Sequence, residues 1–179
     1  MKNSFSSGIG ISLAAALILL FVLASLPPWL IAAADANTVK IDASAAQPRQ
    51  VEDATVQAIQ RDYGRAWQTL SQALSENRAN LLNSSFVGIA NDKLTRAVNE
   101  QRKEGLRRKY IDKSHKVEIV FYSAEGSALQ LRDTVQIEIQ LLDGDKVVHT
   151  ENATRHYIAL MTPTENSWKV RVFEAVPGA

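Results

Sequence analysis

The sequence predicts an α+β domain, with helices first and then a curved antiparallel meander of four strands, all behind an N-terminal transmembrane segment. Three observations carry this. Apolar residues recur at helical spacing in the first half of the body, at Val56, Ile59, Tyr63, Trp67, Leu70 and Leu74. They alternate strictly in the second half, at Leu129, Leu131, Val135, Ile137, Ile139 and Leu141, with Asp133 the one break. Ahead of both lies a 34-residue stretch whose only charged side chain is Lys2. A period of 3.6 marks a helix with one buried stripe, and a period of two marks a strand with one buried and one wet face. One wet face argues for an antiparallel sheet.

Composition narrows the function classes. The chain has 179 residues, no Cys, and 20 Lys and Arg against 19 Asp and Glu. Without Cys there is no disulfide, thiolate nucleophile or Cys-ligated zinc. Without Lys2 the balance is zero, which gives no support for bulk nucleic-acid binding.

Taken in order, residues 1–34 are the anchor. Residues 8–26 would span roughly 28 Å as a helix at about 1.5 Å per residue, enough to cross a bilayer core of about 30 Å. Pro27-Pro28 ends a regular helix there, and Trp29 takes an interfacial place. A retained signal-anchor and a cleaved signal peptide both fit, the latter using Ala32-Ala33-Ala34 or Ala34-Asp35-Ala36. The apolar run exceeds the roughly 7–15 residues of a signal peptide, which favours the anchor. For a bacterial source this places the protein in the cytoplasmic membrane as a single-pass chain with its C-terminal domain exported, or free in the periplasm after cleavage. Residues 35–50 are small, polar and aperiodic, and read as a flexible tether leading into a domain over 51–179.

In that domain the spacing predicts a helix over 51–77, a short helix or turn over 80–90, and a second helix from the Asn91-Asp92 cap to about Lys109. The outer side of this last helix is basic, with Arg102, Lys103, Arg107, Arg108 and Lys109 near its end. Those residues are the candidate interaction surface, for a protein or for anionic headgroups. Cations at a helix C-terminus also have a plain dipole explanation.

Strands follow over 116–122, 129–141, 146–161 and 168–176, with Asp143-Gly144 as a hairpin turn. The middle two exceed the usual five or six residues and need bulges to bend. Asp133 interrupts a buried face and requires a partner, because an unpaired buried polar group costs about 2–7 kcal/mol. A two-residue turn at Asp143-Gly144 sets Asp133 opposite Thr154, with Asn152 and His156 diagonal. A one-residue slip brings Arg155 and Tyr157 to its side instead, and Asp133–Arg155 is then a structural ion pair. Asp133 is thus either a structural group or part of a ligand or catalytic site. His115 sits in a charged turn and His149 beside the hairpin, neither with metal-ligand company. There is no phosphate loop, nucleophile elbow, HExxH or other cofactor-binding motif.

Helices followed by a long curved meander closing on "SWKVRVFEAV" resemble the NTF2-like (cystatin-like α+β cone) superfamily. The runs "LTRAVNEQRKEGLRRKYIDKSHKVEIV" and "RHYIALMTPTENSWKV" resemble its branch in mitochondrial translocase and plastid-division proteins. The resemblance implies a conical space between sheet and helices. It also implies members of two kinds, enzymes such as isomerases, cyclases and dehydratases, and purely protein-binding modules. Enzymatic members would use an Asp or Glu inside the cone assisted by His or Tyr, a role open here to Asp133 with His156 or Tyr157. Membrane-tethered members act mostly as scaffolds, which favours a protein partner or homodimer over a small-molecule ligand.

Overall fold

A computed structural model describes residues 39–177. The predicted anchor and the first residues of the predicted tether lie outside these. Among the described residues no helix is long and apolar enough to cross a membrane.

The sheet has five strands rather than four, in the order β1 (Lys40–Asp42), β2 (Leu106–Tyr122), β3 (Leu129–Asp143), β4 (Lys146–Pro163), β5 (Trp168–Val176). The last four form the expected antiparallel meander. β1 pairs in parallel with β2, Lys40 opposite Lys116 and Asp42 opposite Glu118. Part of the predicted tether is therefore folded onto the sheet, with Val39 and Ala46 buried. Register shifts at Asp112/Ser114 and Ile119/Phe121 of β2, Leu141/Leu142 of β3 and Leu160/Met161 of β4 break the long ladders. Each extra residue bends its strand and sharpens the twist, which curves the sheet.

Helix α1 (Asp53–Glu76) lays Ile59, Tyr63, Ala66, Trp67, Leu70, Ala73 and Leu74 on the concave face. It ends at Asn77, whose left-handed conformation (φ 52°) Asn tolerates better than most residues. Asn77 Nδ2 donates to Leu106 O, and its Oδ1 accepts from Gln101 Nε2. One side chain thereby joins the ends of both helices to the start of β2. A 3-10 turn (Ala79–Ser84) then leads to α2 (Gly88–Lys103).

That second helix stops six residues before the predicted end. Gly105, at φ 72°, reverses the chain, and β2 begins at Leu106. Arg107, Arg108 and Lys109 are thus strand residues, and the predicted basic helix face keeps only Arg102 and Lys103 at its end. Along β2 the alternation parts them further. Arg108 opposes Leu141 on the concave face, while Arg107 and Lys109 oppose Leu142 and Gln140 on the outer face.

The register orders the concave face into rows across β2, β3 and β4. They run Tyr122–Leu129–Met161, Ile119–Leu131–Ala159, Val117–Asp133–Tyr157 and His115–Val135–Arg155. The helices cover these rows up to Arg155, which is exposed. Trp67 sits at their centre, edge-on to Tyr157 and Phe173 at 5.2 and 5.4 Å, and Phe86 packs on Phe173 at 6.0 Å. Trp67 and Phe86 are 2% and 1% exposed, so large aromatics fill the cone. Trp168 is only half-buried, against Tyr122 at 6.4 Å.

Candidate functional site

The hairpin turn decides what Asp133 meets. The closing pair is Asp143–Lys146, one residue further along than an Asp143-Gly144 turn would give, and Val148 is an extra residue before His149 pairs with Leu141. Together these place Tyr157, not Thr154, opposite Asp133. His156 opposes Thr134 on the outer face, its Nδ1 3.1 Å from the Thr134 hydroxyl, and has no part in the interior. Arg155 shares Asp133's face, but its guanidinium donates to Glu151 at 2.8 Å on the surface. The expected Asp133–Arg155 pair does not form.

Asp133 is instead held by two residues outside the candidate set. Tyr63 OH donates to its Oδ2 at 3.0 Å, and His115 Nδ1 lies 2.8 Å from the same oxygen. His115 belongs to β2 and not to a turn, and its side chain is fully enclosed. On the ring's other side Asp112 Oδ2 approaches Nε2 at 3.8 Å, a charge contact too long for a hydrogen bond. Trp67 packs over the imidazole at 4.9 Å. The result is a buried phenol–carboxylate–imidazole chain whose far end is a second carboxylate.

Its electrostatics follow from burial and charge. Burial disfavours the imidazolium, but Asp112 and Asp133 outweigh it and raise His115 to about 9. His115 is therefore cationic at neutral pH, a buried charge between two anions. Burial first, and then the Asp133 charge, push the Tyr63 phenol well above its usual value. Tyr157 is pushed up to about 12, chiefly by burial. Groups so perturbed can store or pass a proton. Here the proton-bearing atoms are shut inside the core, and Asp133 is 0% exposed.

Four buried polar atoms of this cluster lack a protein partner, Asp133 Oδ1, His115 Nε2, Asp112 Oδ1 and Trp67 Nε1. Two surface cavities of about 230 and 210 Å³ lie elsewhere. One borders Lys113, Gln136, Asn152 and Thr154, the other Arg61, Asp62 and the loop before Trp168. Asp62, itself buried, accepts the Trp168 N–H at 2.8 Å and pairs with Arg61, which fastens α1 to that loop. Among the described residues no cluster of His, Asp and Glu could hold a metal ion.

Two signals for the true partners were present in the sequence. Extending the odd-numbered alternation Val117, Ile119 one step back puts His115 on the inner face. Tyr63 lies one helical turn before Trp67 on the apolar stripe.

No family model matches the chain, and no curated protein does. Solved structures do. The intermembrane-space region of the chloroplast protein ARC6 aligns over its whole length with 73% of this chain, at 16% identity and a TM-score of 0.60. A putative aromatic ring hydroxylase from Novosphingobium aromaticivorans aligns over 94% of its length with 72% of this chain, at 14% identity and a TM-score of 0.50. A putative dehydratase of the NTF2-like family from Streptomyces avermitilis aligns over 95% of its length with 66% of this chain, at 13% identity and a TM-score of 0.46. At such identities the likeness is one of fold. The fold is NTF2-like, as in the ARC6 region.

Proposed function

We propose that this chain is a non-enzymatic protein-interaction or assembly module, held at a membrane by its N-terminal segment. One observation carries the reading. The interior, where a small molecule would have to sit, is occupied by Trp67, Tyr63 and Phe86, each 2% exposed or less, and its one central carboxylate is held by Tyr63 and His115. A packed interior moves function to the surface. Arg102 and Lys103 at the exposed end of α2 have no ion-pair partner among the described residues and offer a contact for an acidic partner. The test is crosslinking in intact cells followed by purification of the full chain. Charge reversal at Arg102 and Lys103 is expected to remove a stoichiometric partner that Asp133→Asn leaves in place. Loss of the partner with Asp133→Asn alone, in a folded protein, contradicts the reading.

The second reading is a small-molecule-binding domain or an isomerase- or cyclase-like enzyme. The four unpartnered polar atoms around His115 favour it, since a small polar ligand would satisfy them. A compound that stays with the wild-type protein through purification and is lost from Asp133→Asn would select it.

A further inference from the structure

The outer face of the sheet carries a charge asymmetry that the helix pattern had hidden. Across β1, β2 and β3 this face presents Lys40, Arg107, Lys109, Lys113, Lys116 and Arg132 against Asp42, Glu118 and Glu138. Residues 39–177 hold 19 Lys and Arg and 18 Asp and Glu, so everything outside this face has 13 cations against 15 anions. Three of the six cations are engaged, Lys113 with Glu138 at 3.0 Å, Lys116 with Glu118 at 3.7 Å, and Arg107 with Asp145 at the hairpin tip. Lys40, Lys109 and Arg132 are exposed and have no ion-pair partner among the described residues. Phe121 stands on the same face, opposite Gln130 and 39% exposed.

We infer that the outer face of β1–β3 docks on a bilayer surface rich in anionic headgroups. Charge repulsion opposes a homodimer built by stacking two such faces, so an anionic occupant fits better than a second copy. Chain length favours lipid over an acidic protein. Lys40 stands on β1, at the edge of this face, 14 residues after Leu26, the last of the apolar run. Those residues reach at most about 50 Å when extended. This step rests on the membrane-anchor part of the proposed function. Cations within a Debye length of an anionic leaflet attract it, and an exposed Phe among them adds an apolar contact at headgroup depth.

The experiment uses residues 37–179, a unit compact on its own with its own core, checked for cooperative unfolding. It is sedimented with vesicles of phosphatidylcholine alone and with 30% phosphatidylglycerol. The expected result is binding only to the anionic vesicles, weakened at least tenfold in 0.5 M salt. A Lys40→Glu/Lys109→Glu/Arg132→Glu variant is expected to bind at least tenfold more weakly with an unchanged Tm. Equal binding to both vesicles, or full binding by the folded triple variant, overturns the inference. So does a triple variant that loses a protein crosslink in cells when the wild type ignores the anionic vesicles, because the face then belongs to an acidic protein. Alkaline extraction of the full chain from membranes tests the anchor separately.

Discussion

At the scale of single residues, the molecule turns on how one buried carboxylate is neutralised. His115 is raised to about 9 from a usual value near 6.5. A group whose folded value is raised stabilises the fold fully below its unfolded value and ceases to as pH rises through the folded one. Wild-type stability is therefore expected to fall between about pH 6.5 and 9, by on the order of 3 kcal/mol if His115 acts alone. Denaturant unfolding across that range checks this, and Asp133→Asn should flatten the slope. Tyr63→Phe removes one donor from Asp133 but leaves His115 in place. Its expected cost is about 1.5–3 kcal/mol, that of a hydrogen bond to a charged group, measured the same way at pH 7. The sequence identified Asp133 as needing a partner, because an acid in an apolar alternation has few ways to exist. Alternation sets His115 on the inner face, but that it meets Asp133 depends on a pairing across two strands, and on bulges that no local pattern records. His156 was misplaced for the same reason, as an odd shift of register turns a strand over.

At the scale of elements, the legible parts were those with long, unbroken periodicity. The stripe from Ile59 to Leu74 and the alternation from Leu129 to Ile137 became α1 and β3, because each period buries one whole face. The segment 104–115 had no such signal. Its charges continue the basic run of α2, and only Gly105 marks the change from helix to strand. β1 was equally hidden, three residues long and surrounded by small polar ones. Its contribution is nonetheless physical. Val39 is 2% exposed and Ile41 packs against the core. A domain cut to begin at Val51 is expected to be less stable than one beginning at Asn37 by at least about 2 kcal/mol, the burial of one Val-sized side chain, read as a lower urea midpoint.

At the scale of the whole molecule, the two faces of the sheet differ in character. The centre of the concave face is filled by packing, with Trp67, Tyr157 and Phe173 in mutual contact and Trp67 against His115. The outer face of β1–β3 carries an excess of cations, with Lys40, Lys109 and Arg132 exposed. The α+β class could be read from the order of helices and strands, and with the long meander and the closing run of β5 the chain resembles the NTF2-like superfamily. Whether its cone is open could not be read, because that depends on side-chain volumes meeting across four elements. The central claim is that Trp67 fills the cone as core rather than lining a pocket. Urea unfolding of Trp67→Ala tests it most directly. A filled interior predicts a loss of about 3–5 kcal/mol, as for other buried large aromatics cut to Ala. A loss under about 1 kcal/mol would mean that the indole borders open space, and the interior would then have to be read as a binding site.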